Sequence, residues 1–272
     1  VVKVLINSKQ ATCEIWTKHR GEQKIVAWKV VVTDVDFPSV EAEMAVLAGI
    51  GAEVVWGQCT TAAEVLEIAK DAWALLVQYG RSPIGSSQRF AVYRVIARYG
   101  IGVDTIDVAA ASEVGKTVSN VPDYCVEEVS DRTLALLYAC NRRLFPLTES
   151  VRSGGWSVTA VAPRVQRLAG HKLGLVGFGA IARRVAATAR AWAWDSWPST
   201  PTWARRRWPI WVRRRHPSLD SLLKGANFVS LHVPLTTSTC HMLSAEQLSV
   251  MKPSAYLINT PRGGLVGEQC LY

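Results

Sequence analysis

The sequence predicts an α/β protein with two doubly wound domains, each built on a parallel β-sheet. Short apolar, β-branched runs alternate with amphipathic stretches, as strands alternate with crossover helices. The 272 residues suffice for two ordinary domains, and a hydrophobic content of 49% can fill two cores. A glycine-rich segment at residue 177 follows an apolar run and opens a helical stretch. This order of strand, turn and helix is typical of parallel-sheet folds.

The first half of this alternation begins at residue 29. The run KVVVTDVD predicts a strand, and Ser39 is a candidate N-cap for the helix that follows. A second helix is predicted from about Thr61 to Lys70. Further strands are predicted in the segments AEVVWG, ALLVQYG, RVIARYG and KTVSNVP. We therefore assign residues 29–120 to a first domain and leave residues 1–28 as an unassigned N-terminal extension.

The second half begins with a long helix predicted from about Tyr124 to Leu144, where apolar residues recur three and four positions apart. Strands are then predicted in KLGLV, NFVSLHVP and AYLINTPRG. Ser244 is the expected N-cap of the helix SAEQLSVM. These elements assign residues 121–272 to a second domain.

Composition excludes several classes of protein. The six Cys form no C-x-x-C pair and no cluster with His, so neither a metal site nor a disulfide framework is expected. We expect no membrane partner, because no apolar run reaches the length of a transmembrane helix. The N-terminus lacks the order of a secretory signal, so a cytoplasmic protein is expected.

Most of the net charge of +9 is concentrated in two segments. Residues 1–28 contribute +3, residues 191–216 contribute +5, and all other residues together only +1. We therefore expect no nucleic-acid partner. The alternative, a nucleic-acid-binding protein, depends on these two segments alone and predicts salt-dependent binding that is lost when residues 191–216 are removed.

Residues 177–182 read GFGAIA, which matches the pattern G-x-G-x-x-A. In a dinucleotide site the first glycine makes the tight turn, and the second lets backbone approach the pyrophosphate. The small third residue lets the helix pack on the strand. Gly177 and Gly179 therefore predict such a site, with free N–H groups at the helix N-terminus. The alternative is a purely structural glycine turn.

About 20 residues after the glycines, a second strand ending in Asp or Glu is expected to bind the ribose of NAD. No such strand is visible there, because the position falls in the stretch Trp192–Pro217. Asp195 is therefore not assigned the ribose role. NAD is the expected cofactor, and NADP is not excluded.

Five separated motifs occur in a fixed order: RYGIGVDTIDV, NVPDYCVEEVSDRTLALL, LGLVGFGAIA, NFVSLHVPLT and MKPSAYLINTPRGGLV. With them the chain resembles the D-isomer-specific 2-hydroxyacid dehydrogenases, a family that includes the C-terminal-binding-protein corepressors. The resemblance implies a flavodoxin-like substrate domain and a Rossmann NAD-binding domain. It also implies hydride transfer between NAD(P) and a small 2-hydroxy or 2-keto acid. The long helix would form a homodimer, or else belong to the core of a monomer.

The resemblance also implies the roles of individual residues. The backbone amides of Ile101 and Gly102 would hold the substrate carboxylate, with Val77 and Gln78 lining the pocket. Arg262 would be the catalytic residue that grips the carboxylate and the carbonyl, for which its planar fork is suited. The residues implied at the cofactor, besides the two glycines, are Ala180 and Ile181 at the pyrophosphate, His232, Val233 and Pro234 on the adenosine side, and Thr260 and Pro261 at the nicotinamide.

The sequence departs from the family pattern in several places. Thr105 replaces the usual Asn, and Pro261 replaces the usual Ala or Ser, which removes a backbone donor. The family's catalytic Glu and its acid/base His lie downstream of the Arg motif, and none of the five His here matches. We therefore expect that the C-terminal part is missing and that this chain has little or no activity. An NAD-binding, corepressor-like protein or an inactive fragment are the alternatives.

The stretch 192–217 contains six Trp, six Arg and four Pro, and it interrupts the α/β pattern. Regular family-like sequence flanks it on both sides. We interpret it as a segment translated in the wrong frame, a compensated frameshift, in preference to a genuine insert. No regular element is expected within it.

Overall fold

A computed structural model describes residues 28–80, 93–162, 165, 167–199 and 218–271 of the protein. Contacts divide the chain into two compact units. Unit 1 spans Val1–Tyr124 and unit 2 spans Cys125–Tyr272.

Unit 1 contains a five-stranded parallel sheet with the strand order β2-β1-β3-β4-β5. Its strands are β1 (Trp28–Asp34), β2 (Ala52–Trp56), β3 (Ala74–Val77), β4 (Val95–Arg98) and β5 (Thr117–Ser119). Its helices are α1 (Glu41–Ala48), α2 (Ala62–Ala69) and α3 (Val108–Glu113). The central strands bury Val31, Leu75 and Ile96 completely. Their near-continuous apolar sequences are typical of strands covered on both faces.

Unit 2 contains a four-stranded parallel sheet with the order β7-β6-β8-β9. Its strands are β6 (Lys172–Val176), β7 (Asp195–Ser199), β8 (Phe228–Leu231) and β9 (Tyr256–Asn259). Its helices are α4 (Val126–Asn141), α5 (Leu144–Arg152), α6 (Val158–Val161), α7 (Ala180–Ala191), α8 (Leu219–Gly225) and α9 (Ala245–Ser249). Short 3-10 turns follow at Gly263–Leu265 and Glu268–Cys270. The two parallel sheets confirm the predicted fold class.

The predicted long helix is shorter than expected at its C-terminal end. It ends at Asn141, and a separate helix begins at Leu144. Arg143 lies between them in the left-handed region, with φ of 54°. A helix cannot continue through that conformation, so the chain changes direction there.

The expectation of no regular element between residues 192 and 217 is wrong for residues 195–199. Strand β7 pairs with β6 along its whole length, from Asp195 opposite Lys172 to Ser199 opposite Val176. Pro198 is compatible with this strand because β7 is at the sheet edge, where a missing N–H is tolerated. Residues 200–217, with the rest of the proposed frameshift, lie outside the described residues. So does most of the N-terminal extension.

Two tryptophans just before β7 pack into the core of unit 2. The Trp194 ring stacks on Phe228 with centroids 5.1 Å apart, and Phe228 in turn stacks on Tyr256 at 5.4 Å. Trp192 meets Tyr138 edge to face at 4.4 Å. Aromatic pairs at such distances stabilise a core beyond the area that they bury. Across the parts of the chain that the structure covers, no helix is both long and apolar enough to cross a membrane.

Candidate functional site

The glycine turn between β6 and α7 has the geometry that its sequence predicts. Gly177 adopts φ of 92°, a region that side chains rarely enter. A Cβ atom at this position would lie 2.5 Å from the His232 carbonyl oxygen. Both the backbone conformation and the close approach of the next strand therefore require glycine here.

Gly179 is in a different situation. Its φ is −75°, and a Cβ atom there would have nothing within 4 Å. Gly179 is the N-cap of α7 and provides no side chain to cap the first N–H groups. Ala180 is exposed, Ile181 is half-buried and Ala182 is completely buried. The turn thus presents open space and uncapped amides at the positive end of a helix dipole, which suits an anionic ligand.

The segment after β8 packs directly against this turn. The His232 amide donates to the Val176 carbonyl over 2.7 Å, and the His232 Nε2 atom lies 2.9 Å from the Ser230 hydroxyl. Val233 is buried and Pro234 is exposed. Burial lowers the pKa of His232 to about 4. The imidazole is therefore neutral at physiological pH.

We expect His232 to make stability depend on pH. The unfolded chain protonates this histidine near pH 6.5, whereas the folded chain resists protonation down to about pH 4. The contribution of neutral His232 to the free energy of unfolding is therefore fully present above pH 6.5. It falls as the pH drops from 6.5 towards 4, by at most about 3 kcal/mol. Urea unfolding at pH 7 and pH 4.5 measures the loss, and His232→Gln should reduce it. Equal losses in the two proteins would contradict the prediction.

The loop after β9 carries Thr260, Pro261 and Arg262. The Thr260 hydroxyl lies 3.3 Å from that of Thr133 in α4. The Asn259 side-chain amide donates to the Arg262 carbonyl over 2.8 Å, and Arg262 Nη1 donates to the Pro261 carbonyl over 2.8 Å. These bonds fix the backbone on both sides of the Arg262 side chain.

The predicted residues of unit 2 therefore lie at the carboxyl ends of the strands of its sheet. Val176 pairs with Leu231, and Leu231 pairs with Asn259, so β6, β8 and β9 end side by side. In an open parallel sheet, ligands bind at the carboxyl ends of the strands.

Strand β7 ends at the same edge, but Asp195 is at its other end, opposite Lys172. The Asp195 carboxylate accepts a hydrogen bond of 2.6 Å from Trp197 Nε1. Ser199 is the residue beside the glycine turn, where its carbonyl accepts from the Gly177 amide over 2.8 Å. Asp195 thus lies at the end of β7 that is remote from the glycine turn. The reason first given for leaving it unassigned, the absence of a strand, is wrong.

In unit 1, Val77 and Gln78 are buried at the carboxyl end of β3. The Gln78 side chain is held by Asp36. Its Oε1 atom accepts from the Asp36 amide over 2.7 Å, and its Nε2 atom donates to the Asp36 carboxylate over 2.5 Å. The Gln78 amide group thus has partners on the protein itself.

Ile101 and Gly102 follow β4, the next strand of the same sheet, and both are half-buried. The Ile101 carbonyl accepts from the Asn120 side chain over 2.7 Å. Gly100 has a φ of 138°, a region that side chains rarely enter, and it lies against the Arg98 guanidinium. Because β3 and β4 pair in parallel, the predicted residues of unit 1 share one sheet edge.

Asp34 and Asp36, which are not among the residues predicted from sequence, contact the predicted loop at Gln78 from the end of β1. The motif TDVD, with two acids after a β-branched run, was a signal that could have indicated them. Within the described ranges, no group of three His, Cys, Asp or Glu is placed to hold a metal ion.

Residues 134–272 match the family model of the D-isomer specific 2-hydroxyacid dehydrogenase, NAD binding domain. The chain belongs to the D-isomer-specific 2-hydroxyacid dehydrogenase family. This confirms the resemblance and accounts for the glycine turn in unit 2.

Similarity to individual proteins of the family supports this membership. A hydroxypyruvate reductase of Thermotoga maritima is 37% identical over 179 residues, 66% of this chain and 56% of the relative. A D-3-phosphoglycerate dehydrogenase of Methanocaldococcus jannaschii is 34% identical over 248 residues, 90% of this chain and 46% of the relative. The solved D-lactate dehydrogenase of Aquifex aeolicus, complexed with NAD and lactic acid, is 26% identical with a TM-score of 0.76. That match covers 89% of this chain and 72% of the other. The chain spans about half the length of the curated relatives it matches.

Proposed function

We propose that the chain binds NAD(P) at the glycine turn and belongs to an enzyme that transfers a hydride between this cofactor and a small 2-hydroxy or 2-keto acid. The observation that carries the proposal is the pair Gly177 and Gly179. One glycine is required by the fold, and the other opens space before the uncapped N-terminus of α7. Family membership supports the same function.

The proposed cofactor site lies in residues 121–272. Backbone amides at Ala180 and Ile181 would bind the pyrophosphate at the positive end of α7. The nicotinamide, when bound, supplies or accepts the hydride. The other residues proposed to border the cofactor are His232, Val233, Pro234, Thr260 and Pro261.

Substrate roles are proposed for residues of each unit separately, as the family resemblance implies. In residues 29–120, the amides of Ile101 and Gly102 are proposed to bind the carboxylate, with Val77 and Gln78 nearby on the next strand. In unit 2, Arg262 is proposed to bind the carboxylate and the polarised carbonyl oxygen. A guanidinium offers two parallel donors to such a group, which a lysine does not.

Binding of NADH, followed by its fluorescence, and then of oxamate, an unreactive analogue of a 2-keto acid, tests the proposal. We expect NADH to bind first and oxamate to bind the NADH complex. Arg262→Lys should weaken oxamate about 30-fold, or ~2 kcal/mol, and leave NADH affinity unchanged. Arg152→Ala is the control, since Arg152 is an exposed residue in the last turn of α5.

Failure of the wild-type chain to bind NADH would overturn the proposal. Turnover is then measured with glyoxylate, hydroxypyruvate and pyruvate. NADH binding without oxamate binding or turnover would instead favour a nucleotide-binding protein similar to the corepressors.

We also propose that the protein is a cytoplasmic homodimer. Large apolar side chains are exposed along and after α5, as expected of a surface that a second copy covers. They are Leu144, Phe145, Val151, Trp156 and Val158. Sedimentation velocity measures the oligomeric state directly.

A further inference from the structure

The carboxylate of Asp34 is buried at the end of β1, where only 8% of the residue is exposed. Its Oδ1 atom accepts from the Thr33 hydroxyl over 2.7 Å and from the Gln78 amide over 3.3 Å. Its Oδ2 atom accepts from the amides of Tyr79 at 2.5 Å and Gly80 at 2.8 Å. Three consecutive N–H groups thus converge on one carboxylate. Such a run of amides forms an anion-binding concavity.

The strand pairing explains why Asp34 reaches these amides. Val32 pairs with Leu76, whereas Asp34 pairs with Val77, so Thr33 is an extra residue in β1. Irregularities of this kind redirect a side chain relative to the regular ladder. Here the redirected side chain is the carboxylate that meets the loop after β3.

The loop is adapted to this carboxylate. A Cβ atom on Gly80 would lie 2.9 Å from Asp34 Oδ1, so a side chain at this position would collide with it. The salt bridges found among the described residues do not include Asp34. Hydrogen bonds therefore compensate the burial of its charge, which would otherwise be strongly unfavourable.

Asp36 holds the same loop through the side chains of Gln78 and Tyr79. Besides the two bonds to the Gln78 amide group, its carboxylate accepts from the Tyr79 hydroxyl over 3.1 Å. Asp34 thus fixes the loop backbone, and Asp36 fixes two of its side chains. Just before the loop, the end of β3 is joined to the segment after β4, because the Tyr99 amide donates to the Val77 carbonyl over 2.8 Å.

We propose that Asp34 is a positioning residue of the substrate site: a built-in anion that orders the backbone of residues 78–80 before substrate arrives. The structural half of this inference stands on the hydrogen bonds alone. Its functional half rests on the proposed function, in which Val77, Gln78 and Ile101 serve the substrate. Ordering a binding loop in advance removes an entropic cost from binding.

Hydrogen exchange of the backbone amides in the full chain tests the structural half. In Asp34→Ala, the amides of residues 78–80 should exchange at least 100-fold faster than in the wild type. Formate should restore their protection in a saturable way, because it supplies the missing carboxylate, whereas formamide should not. Asp36→Ala is the matched control: it removes only side-chain contacts, so the three amides should stay protected and formate should have no effect.

Unchanged exchange in a folded Asp34→Ala protein, or absence of a formate effect there, would overturn the inference. If Asp34→Ala does not fold, Asp34→Asn serves instead. It keeps one acceptor oxygen and places an NH2 group against the other amides. Some of the three amides should then exchange faster while the rest stay protected.

Oxamate affinity tests the functional half. It should fall at least 10-fold in Asp34→Ala, with NADH affinity unchanged. Normal oxamate affinity despite a disordered loop would overturn the positioning role. If the wild-type chain binds neither NADH nor oxamate, the proposed function fails, while the exchange result still decides whether Asp34 orders the loop.

Discussion

Gly177→Ala is expected to destabilise unit 2 by about 3 kcal/mol or more and to abolish NADH binding. Two costs add. The backbone would keep a φ of 92°, which side chains disfavour, and the new Cβ atom would lie 2.5 Å from the His232 carbonyl oxygen and 2.8 Å from its carbon. These atoms are backbone of the neighbouring segment and cannot move aside cheaply. Thermal unfolding should show a midpoint lowered by about 10 °C.

Gly179→Ala is the matched control two residues away. Its φ of −75° suits alanine, and nothing lies within 4 Å of the new Cβ atom. The variant should be as stable as the wild type or slightly more stable, because alanine restricts the unfolded chain. NADH affinity should nevertheless fall at least about 10-fold, or 1.4 kcal/mol, because the methyl group enters the space proposed for the pyrophosphate. Full NADH affinity here would contradict that assignment, and equal destabilisation by both variants would contradict the turn geometry.

The glycine turn could be predicted from sequence because all its determinants are local. The apolar run of β6, the two glycines and the buried Ala182 lie within eleven consecutive residues, 172–182. Each has a steric reason that does not depend on the rest of the chain. The strand, the turn and the helix are all confirmed.

Strand β7 was missed because its determinants are distant in sequence. Asp, Ser and Pro in DSWPS have low strand propensity. The strand forms because residues distant in sequence pack against it. Trp197 is buried against Gly225, where a Cβ atom would lie 2.5 Å from its ring. Lys172 Nζ lies 4.2 Å from the same ring. Tertiary packing has overridden local propensity here.

The helix starts also differ in how far local sequence predicts them. Ser244 is the N-cap of α9, as its sequence predicts, and its amide and hydroxyl donate to the Gln247 side-chain oxygen over 3.3 Å and 2.6 Å. Ser39, an equally good candidate by residue type, is not the cap of α1. That helix begins at Glu41 after Val40, without a side-chain cap. Capping depends on where the chain turns into the helix, and residue type alone does not fix that point.

The candidate site, too, could be predicted from sequence only in part. Motif positions at strand ends could be named from sequence, and the pairing of parallel strands places them at two sheet edges. The partners of those residues could not be named. Asp34 and Gln78 are separated by 44 positions, and only the pairing of β1 with β3 brings them together. The roles of the named residues remain predictions that the binding experiments decide.

Trp194→Ala is expected to cost unit 2 about 3 to 5 kcal/mol of unfolding free energy, the range for a large aromatic side chain removed from a core. Trp194 is 4% exposed and stacks on Phe228 at an interplanar angle of 14°. Trp194→Phe should cost less, because it preserves a ring against Phe228 and removes a buried Nε1 atom that has no hydrogen-bond partner among the described residues. Trp156→Ala is the control, measured at a protein concentration at which the chain is a monomer: Trp156 is 90% exposed, and its loss should then change stability by no more than about 0.5 kcal/mol.

Urea unfolding of the three variants decides how far the Trp-rich stretch belongs to the fold. A large cost for Trp194→Ala, with little for Trp156→Ala, means that the chain through Trp194, which leads directly into β7, belongs to the stable core. Any disturbance of the reading frame would then have to begin after that residue, or else produce a core-forming strand by chance. If Trp194→Ala costs no more than Trp156→Ala, the segment that leads into β7 is not part of the stable core. The interpretation of the whole segment 192–217 as foreign to the fold would then be restored.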